Sequence, residues 1–297
     1  MPESKKHRAG FVNIIGNPNV GKSTLMNALV GERLSIVTSK AQTTRHRIMG
    51  IVNGEDYQIV YSDTPGILKP NYRLQESMMR FVEGAIGDAD IILYVTDVVE
   101  KRDKNREFIE KLKHIYSPVL LVINKIDLST QEEVLAIAQQ WREDLPKAEI
   151  FLCSAQEKFN LDSLFDRVVE LLPENEAWYD KDQFTDRNLR FFASEIIREK
   201  ILINYTKEIP YSTEVVIESF NEGQERYDIS AVIYVMRDSQ KGIVIGKKGE
   251  MLKKVGTQAR IDMETFFEKH VFLQLFVKVD SKWRDDKRKL KNFGYEL

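Results

Sequence analysis

The strongest constraint on the fold is the stretch "FVNIIGNPNVGKSTLMNAL", Phe11 to Leu29. An apolar run stops at Gly16, and Gly16-Asn17-Pro18-Asn19-Val20-Gly21-Lys22-Ser23 fits the pattern G-x-x-x-x-G-K-[ST]. A helical pattern follows at once, beginning with Ser23 and Thr24. Glycines let successive backbone N–H groups point inward, where a Cβ would obstruct them, so the amides and the helix N-terminus can cradle a polyphosphate. In such a cradle Lys22 reaches the β- and γ-phosphates and the Ser23 hydroxyl binds Mg²⁺. A cradle of this kind must sit between a buried strand and a helix, which commits the first part of the chain to an α/β sheet.

The rest of that part agrees. "FVNII", "YQIVYSD", "IILYVTD", "PVLLVINK" and "EIFLCSA" read as strands, mostly buried on both faces, and helical spacing fills the intervals between them. Strand–helix alternation predicts a mixed, mostly parallel sheet covered on both faces. "RIMGIVNGEDYQIVYSD", with Asn53-Gly54 at its turn, reads as one antiparallel hairpin at an edge. The alternation ends at Pro173. "PENEAWYDKDQFTD" is polar and aperiodic, and it is assigned as a linker over 174–187. Beyond it the order becomes α-β-β-α-α-β, an α+β unit over 188–281, with a basic tail or helix over 282–297.

With 297 residues, two domains are the natural division, and 42% hydrophobic residues supply the cores. One cysteine, Cys153, excludes an internal disulfide framework and suits a reducing cytosol. The polar, basic "MPESKKHRAG" does not read as a secretory leader, and no apolar run approaches the ~20 residues of a spanning helix. The net charge of −2 conceals an asymmetry: residues 237–297 hold 15 Lys and Arg against 9 Asp and Glu. That end suits a localised polyanion surface, although a solvated charged helix has the same composition. The four histidines lack metal-ligand spacing, and Cys153 reads as a small hydrophobe.

The base-reading element is "VINKID", with Asn124, Lys125, Ile126 and Asp127 after a buried strand. A carboxylate at Asp127 accepts from both N1–H and the exocyclic amine of guanine, a donor pair adenine lacks, so GTP is expected over ATP. Asn124 would brace the loop and Lys125 lie across the ring. Cys153-Ser154-Ala155 follows the last strand and would offer the Ala155 N–H to the guanine O6. Asp63-Thr64-Pro65-Gly66 closes "QIVYSD", so Asp63 would hold Mg²⁺ through water and the Gly66 N–H would meet the γ-phosphate. In the loop "SKAQTTRHR" either Thr43 or Thr44 completes the magnesium shell, and spacing does not choose between them.

These motifs, the loop "KAQTTRHRI", and later "RFFASEIIREKIL", "IPYS" and "GKKG" resemble the Era family of GTPases, from about Arg8 to Tyr295. The resemblance implies a Ras-like GTPase domain (8–173), followed by a type II KH domain that binds RNA. It also implies as partners GTP and GDP, the 3′ end of 16S ribosomal RNA and the 30S subunit whose maturation the family assists. A monomer is expected, cytoplasmic and loosely associated with the inner membrane face. Ile67 stands where Ras-like proteins place a water-positioning glutamine, so slow unaided hydrolysis is expected. Asn19 matches the P-loop asparagine that supports K⁺ beside the phosphates in related GTPases, a charge role in place of an arginine finger. Arg45 and Arg47 are the finger candidates, with a solvent-facing role favoured for both.

For RNA, Gly246-Lys247-Lys248-Gly249 is the G-x-x-G turn where a nucleic-acid backbone comes close to lysines. Ile243, Val244, Ile245 and Leu252 are candidates for an adjacent apolar groove with Lys253 beside it, although most such residues pack a fold's own core. Two other readings fit the sequence less well. A tRNA-modifying GTPase requires a cysteine near the C-terminus, whereas the last one here is Cys153. A non-hydrolysing scaffold fits poorly with intact Lys22, Ser23 and Asp63.

Overall fold

The computed structural model describes residues 6–100 and 105–295. It divides into two units. The first comprises the chain through Ser35, Thr44–Pro70 and Met78–Asp186; the second comprises Ile36–Thr43, Asn71–Ser77 and the chain from Arg187 onward.

In chain order the first unit's sheet is formed by β1 (Arg8–Gly16), β2 (Ile48–Asn53), β3 (Tyr57–Asp63), β4 (Ile91–Asp97), β5 (Val119–Asn124) and β6 (Glu149–Leu152). The helices are α1 (Lys22–Val30), α2 (Arg73–Gly87, which belongs to this unit from Met78), α3 (Arg106–Lys113), α4 (Gln131–Asp144) and α5 (Leu161–Leu171). The sheet order is β2-β3-β1-β4-β5-β6, parallel except for the β2–β3 pair. Every residue of β4 is buried, as a central parallel strand requires. The register sets Ile14 opposite Asp63, Gly16 opposite Val95 and Asp97 opposite Asn124. Four strand ends therefore deliver Gly16, Asp63, Asp97 and Asn124 to one edge of the sheet, where open α/β sheets hold ligands.

The aperiodic stretch 174–187 was assigned as a linker; through Asp186 it belongs to the first unit. Glu174 bridges Arg8 and Thr185 bridges Gly50, and the Ile51 N–H donates to the Phe184 carbonyl at 2.9 Å. The buried Gln58 side chain accepts from Trp178 N at 2.7 Å and Tyr179 N at 3.0 Å. An edge strand leaves its backbone groups unpaired, and this strap satisfies them without needing a hydrophobic period of its own.

The second unit runs α6 (Leu189–Asn204), β7 (Thr213–Glu222), β8 (Arg226–Val235), α7 (Asp238–Ile245), α8 (Glu250–Phe267), β9 (His270–Val279) and α9 (Lys287–Asn292). The order is the α-β-β-α-α-β read from the sequence. Antiparallel β7–β8 need only a short turn, whereas parallel β8–β9 need the α7–α8 crossover. Ile197, Ile201, Ile233, Val255, Ala259 and Met263 form its core. The basic tail assigned over 282–297 is anchored here, for Trp283, Leu290 and Tyr295 are buried. Tyr295 Oη donates to Glu214 at 3.0 Å and Trp283 Nε1 to the Ser212 carbonyl at 3.3 Å. Glu296 and Leu297 lie outside the described residues.

Candidate nucleotide site and nucleic-acid interface

The turn after β1 is shaped by residues far away in sequence. Gly21 has φ 94°, and a Cβ there would stand 2.2 Å from Asn124 Nδ2, so both conformation and space demand glycine. Asn124, buried at the end of β5, donates through Nδ2 to the Val20 carbonyl at 2.9 Å. Its Oδ1 accepts the Ala155 N–H at 2.9 Å. Asn124 thus clamps the phosphate turn to the loop after β6. The Ala155 amide expected to face the guanine O6 is engaged by this brace, because a buried side-chain carbonyl needs a donor and Ala155 is the donor beside it.

Lys22 opens α1 and is buried, with Nζ donating to the Asn17 carbonyl at 2.8 Å. Burial pushes its pKa down from 10.5 to about 8, against the opposing pull of Asp63 and Glu100. Asn17 also accepts from Asn105, and Asn19 holds a left-handed φ of 69°.

Beside Lys22 three oxygen-bearing side chains converge. Ser23 Oγ donates to Asp63 Oδ2 at 2.6 Å, Thr44 Oγ1 donates to the same oxygen at 3.1 Å, and the two hydroxyls lie 2.9 Å apart. Asp63 Oδ1 is buried without a hydrogen-bond partner. Burial pushes the Asp63 carboxyl up, while Lys22 and the hydroxyls pull the other way. A buried carboxylate oxygen with no partner, beside two hydroxyls, fits a hard divalent cation that prefers oxygen. Of the two threonines, Thr44 is the one in this cluster. The Thr43 hydroxyl donates to the Lys40 carbonyl at 2.6 Å and pairs with Thr38 Oγ1 at 2.7 Å, and its carbonyl accepts from Arg198.

The base-reading loop is also braced. Ser154 Oγ donates to Asp127 Oδ1 at 2.5 Å, which orients an otherwise exposed carboxylate. Lys125, at φ 59°, donates through Nζ to Asp97 Oδ2 and the Asn19 carbonyl, each at 2.5 Å. The Ile126 N–H donates to the Cys153 carbonyl at 3.3 Å. Cys153 is fully buried, and burial pushes its thiol up to about 12, so it is a packing residue. Asp97 was absent from the sequence reading; the signal was an acid ending a strand parallel to the "VINK" strand.

After β3, Thr64 Oγ1 donates to the Ile14 carbonyl at 2.8 Å and the Ile67 N–H to the Gly16 carbonyl at 3.1 Å. These bonds seat Pro65 and Gly66 against the phosphate turn. Ile67 itself is buried in the core with Ile15 and Val82, consistent with a side chain that takes no part in water positioning. Neither Arg45 nor Arg47 faces solvent as favoured. Arg45 is buried, and Arg47 is held by Asp88 at 2.6 Å and Ser62 at 2.5 Å.

In the second unit, Gly246 has φ 73°, and a Cβ there would stand 2.7 Å from Met251 Cγ. Lys247 and Lys248 are exposed at this corner between α7 and α8. A cleft of about 470 Å³ begins there, lined by Gly249, Leu252 and Lys253 and continuing past Gly256 and Arg260 to β9. The sequence placed the groove on both sides of the turn; the cleft follows α8 instead. Val244 is fully buried, its carbonyl accepting from Tyr205 Oη at 2.7 Å, and Ile245 packs against the core. Ile243 is half-exposed but does not line the cleft. Gly256 and Arg260 were missed, although they continue the four-residue spacing from Leu252 along one helix face.

A triphosphate cradle with a buried oxygen cluster and a guanine-matching carboxylate defines a P-loop GTPase, here continued by an α+β unit with a G-x-x-G corner. Residues 11–125 match the family described as 50S ribosome-binding GTPase, and residues 208–284 match the KH domain. The chain is 42% identical to GTPase Era of Pseudomonas putida KT2440, across 99% of this chain and 98% of that one. It is 45% identical to GTPase Era of Syntrophus aciditrophicus, across 97% and 95%. Two solved structures superpose with a TM-score of 0.94 at 38% identity, covering 98% of this chain and all of theirs. One is an Aquifex aeolicus Era variant bound to GDP·AlF4⁻; the other is Era with MgGDPNP and nucleotides 1506–1542 of 16S ribosomal RNA. The chain belongs to the Era family of GTPases.

Proposed function

We propose that this GTPase binds the 3′ end of 16S ribosomal RNA through its KH domain and assists maturation of the 30S subunit, with the bound nucleotide setting its grip on RNA. The observation that carries the RNA half is the cleft opening at the two exposed lysines of the Gly246–Gly249 corner. The relative solved with a 16S fragment supports the choice of RNA.

In this reading Lys22, with the amides of Gly16–Ser23, holds the phosphates, and Asp127, oriented by Ser154, reads guanine. Mg²⁺ would be held by Ser23 and Thr44, with Asp63 acting through water, and would supply charge neutralisation at the phosphates. The chain's own residues orient the triphosphate, and the buried Ile67 leaves water positioning to groups other than that side chain, so the unaided rate is slow. Asn19 would hold a potassium ion beside the phosphates, whose charge would supplement that of Lys22; equal turnover in sodium and potassium buffers would remove that part. The protein works as a monomer in the cytoplasm. Loose contact with the inner membrane face rests on the family resemblance alone, and no helix among the described residues is long and apolar enough to cross a membrane.

The test is RNA affinity measured with the protein empty, GDP-loaded and loaded with a non-hydrolysable GTP analogue, paired with crosslinking and sequencing in cells. Equal affinity in all three states defeats the switch, and crosslinks elsewhere than the 16S 3′ end defeat the target.

A further inference from the structure

At the end of the KH cleft away from the lysine corner stands Arg260, on the same face of α8 as Leu252 and Gly256. Its guanidinium is tethered at one nitrogen: Nη1 donates to Glu264 Oε2 at 2.7 Å, one helical turn on. Glu264 is itself fixed, because Oε1 accepts the Val271 N–H at 3.1 Å, where β9 begins, with His270 Nδ1 3.6 Å away. The Val271 amide, and then Arg260, hold the Glu264 carboxyl below the usual range, so it is an anion at neutral pH. The Arg260 side chain is still 42% exposed, so the tether orients it without burying it.

A guanidinium held this way keeps Nε–H and Nη2–H as a parallel pair of donors, a geometry lysine lacks. Such a pair matches a base edge with two adjacent acceptors. Guanine has one in O6 and N7, and cytosine has one in O2 and N3. Adenine offers an acceptor beside an amine on each corresponding edge, and uracil places N3–H between its two carbonyls. The cleft also has a stacking surface, since half-exposed Phe272 lines it with Arg226 lying 5.3 Å from the ring centroid. The floor is low at Gly256, where a Cβ would stand 3.3 Å from Leu275 Cδ1.

We propose that Arg260, positioned by Glu264, is a specificity-determining residue that requires guanine or cytosine at the RNA position in the far end of the cleft. This inference rests on the RNA-binding reading above and adds the identity of one base.

The experiment uses the full chain loaded with a GTP analogue and the 1506–1542 fragment of 16S RNA, each nucleotide replaced in turn by the other three. Wild type is expected to discriminate for guanine or cytosine at one position by about 10- to 100-fold, and Arg260→Lys to lose that discrimination alone. Where guanine is selected, 7-deazaguanine should weaken binding by removing N7; where cytosine is selected, its Watson–Crick edge is read. Gly256→Ala, which narrows the floor, should weaken all sequences alike. The proposal is overturned if Arg260→Lys discriminates as wild type does throughout, if it shows the same uniform loss as Gly256→Ala, or if the position lost is an adenine or uracil. A wild-type protein that binds the fragment no better than unrelated RNA overturns the functional reading itself.

Discussion

The two glycine turns of this molecule share a local grammar: a positive-φ glycine, lysines and the start of a helix. They differ in what surrounds them. In the phosphate turn, Asn124 fills the space a Gly21 Cβ would need, and Lys22 is buried. In the second turn nothing lies within 4 Å of a Cβ at Gly249, and Lys247 and Lys248 are exposed. A small, highly charged phosphate chain is gripped by enclosing it, where the low dielectric strengthens each contact. An RNA backbone needs an open corner with charges in water, so its grip is weaker per contact and falls with salt.

The contrast can be broken most severely at the base. Asp127→Asn should exchange guanine for xanthine, lowering GTP affinity relative to xanthosine triphosphate by about a thousandfold or more, because the amide sets a donor against the guanine donors and against a xanthine acceptor. Competition binding with the two triphosphates checks this, and unaltered GTP preference would reject the role of Asp127. Next come the glycines. Gly21→Ala should cost about 3 kcal/mol or more through strain plus overlap, whereas Gly249→Ala should cost about 1–2 kcal/mol through its φ alone. Thermal melts of both variants settle it, and equal costs would erase the enclosed–open distinction.

A charge reversal, Lys247→Glu with Lys248→Glu, should weaken RNA binding at least tenfold. It should also flatten the slope of log affinity against log salt by about 1.4, while leaving intrinsic GTP turnover nearly unchanged. Loss of turnover with RNA binding intact would invert the division of labour. The smallest effect concerns pH. The free Lys22 pKa is depressed to about 8, so its cationic form disappears as pH rises through that value. A bound polyphosphate favours the cation, so GTP affinity should fall about tenfold between pH 7 and 9, with proton uptake on binding near pH 8. Calorimetry in two buffers of different ionisation enthalpy reads the uptake, and its absence would show that Lys22 is not the group.

Much of this was legible because the signals were local. A strand, a glycine turn and a helix lie within Phe11–Leu29, and the second unit follows the α-β-β-α-α-β order that its pattern predicted. The strap 174–187 was not legible, because its partners are the edge of β2 and the side chain of Gln58, both more than 100 residues away. A polar stretch that pairs through its backbone has the same composition as one that pairs with nothing. The burial of Trp283 and Tyr295 was hidden for the same reason: a basic sequence says nothing of which surface its aromatic residues meet.

The order of residues alone determined that a G-x-x-x-x-G-K-S turn, an Asn-Lys-x-Asp loop and a G-x-x-G corner exist, because each needs only a few neighbours at fixed spacing. The tertiary structure set Thr44 rather than Thr43 beside Ser23 and Asp63, spent the Ala155 amide on Asn124, and ran a cleft from the G-x-x-G corner along α8 to Arg260. Adjacent hydroxyls, spare amides and helix faces are equivalent in one dimension. They become distinct only when long-range packing assigns each donor its acceptor.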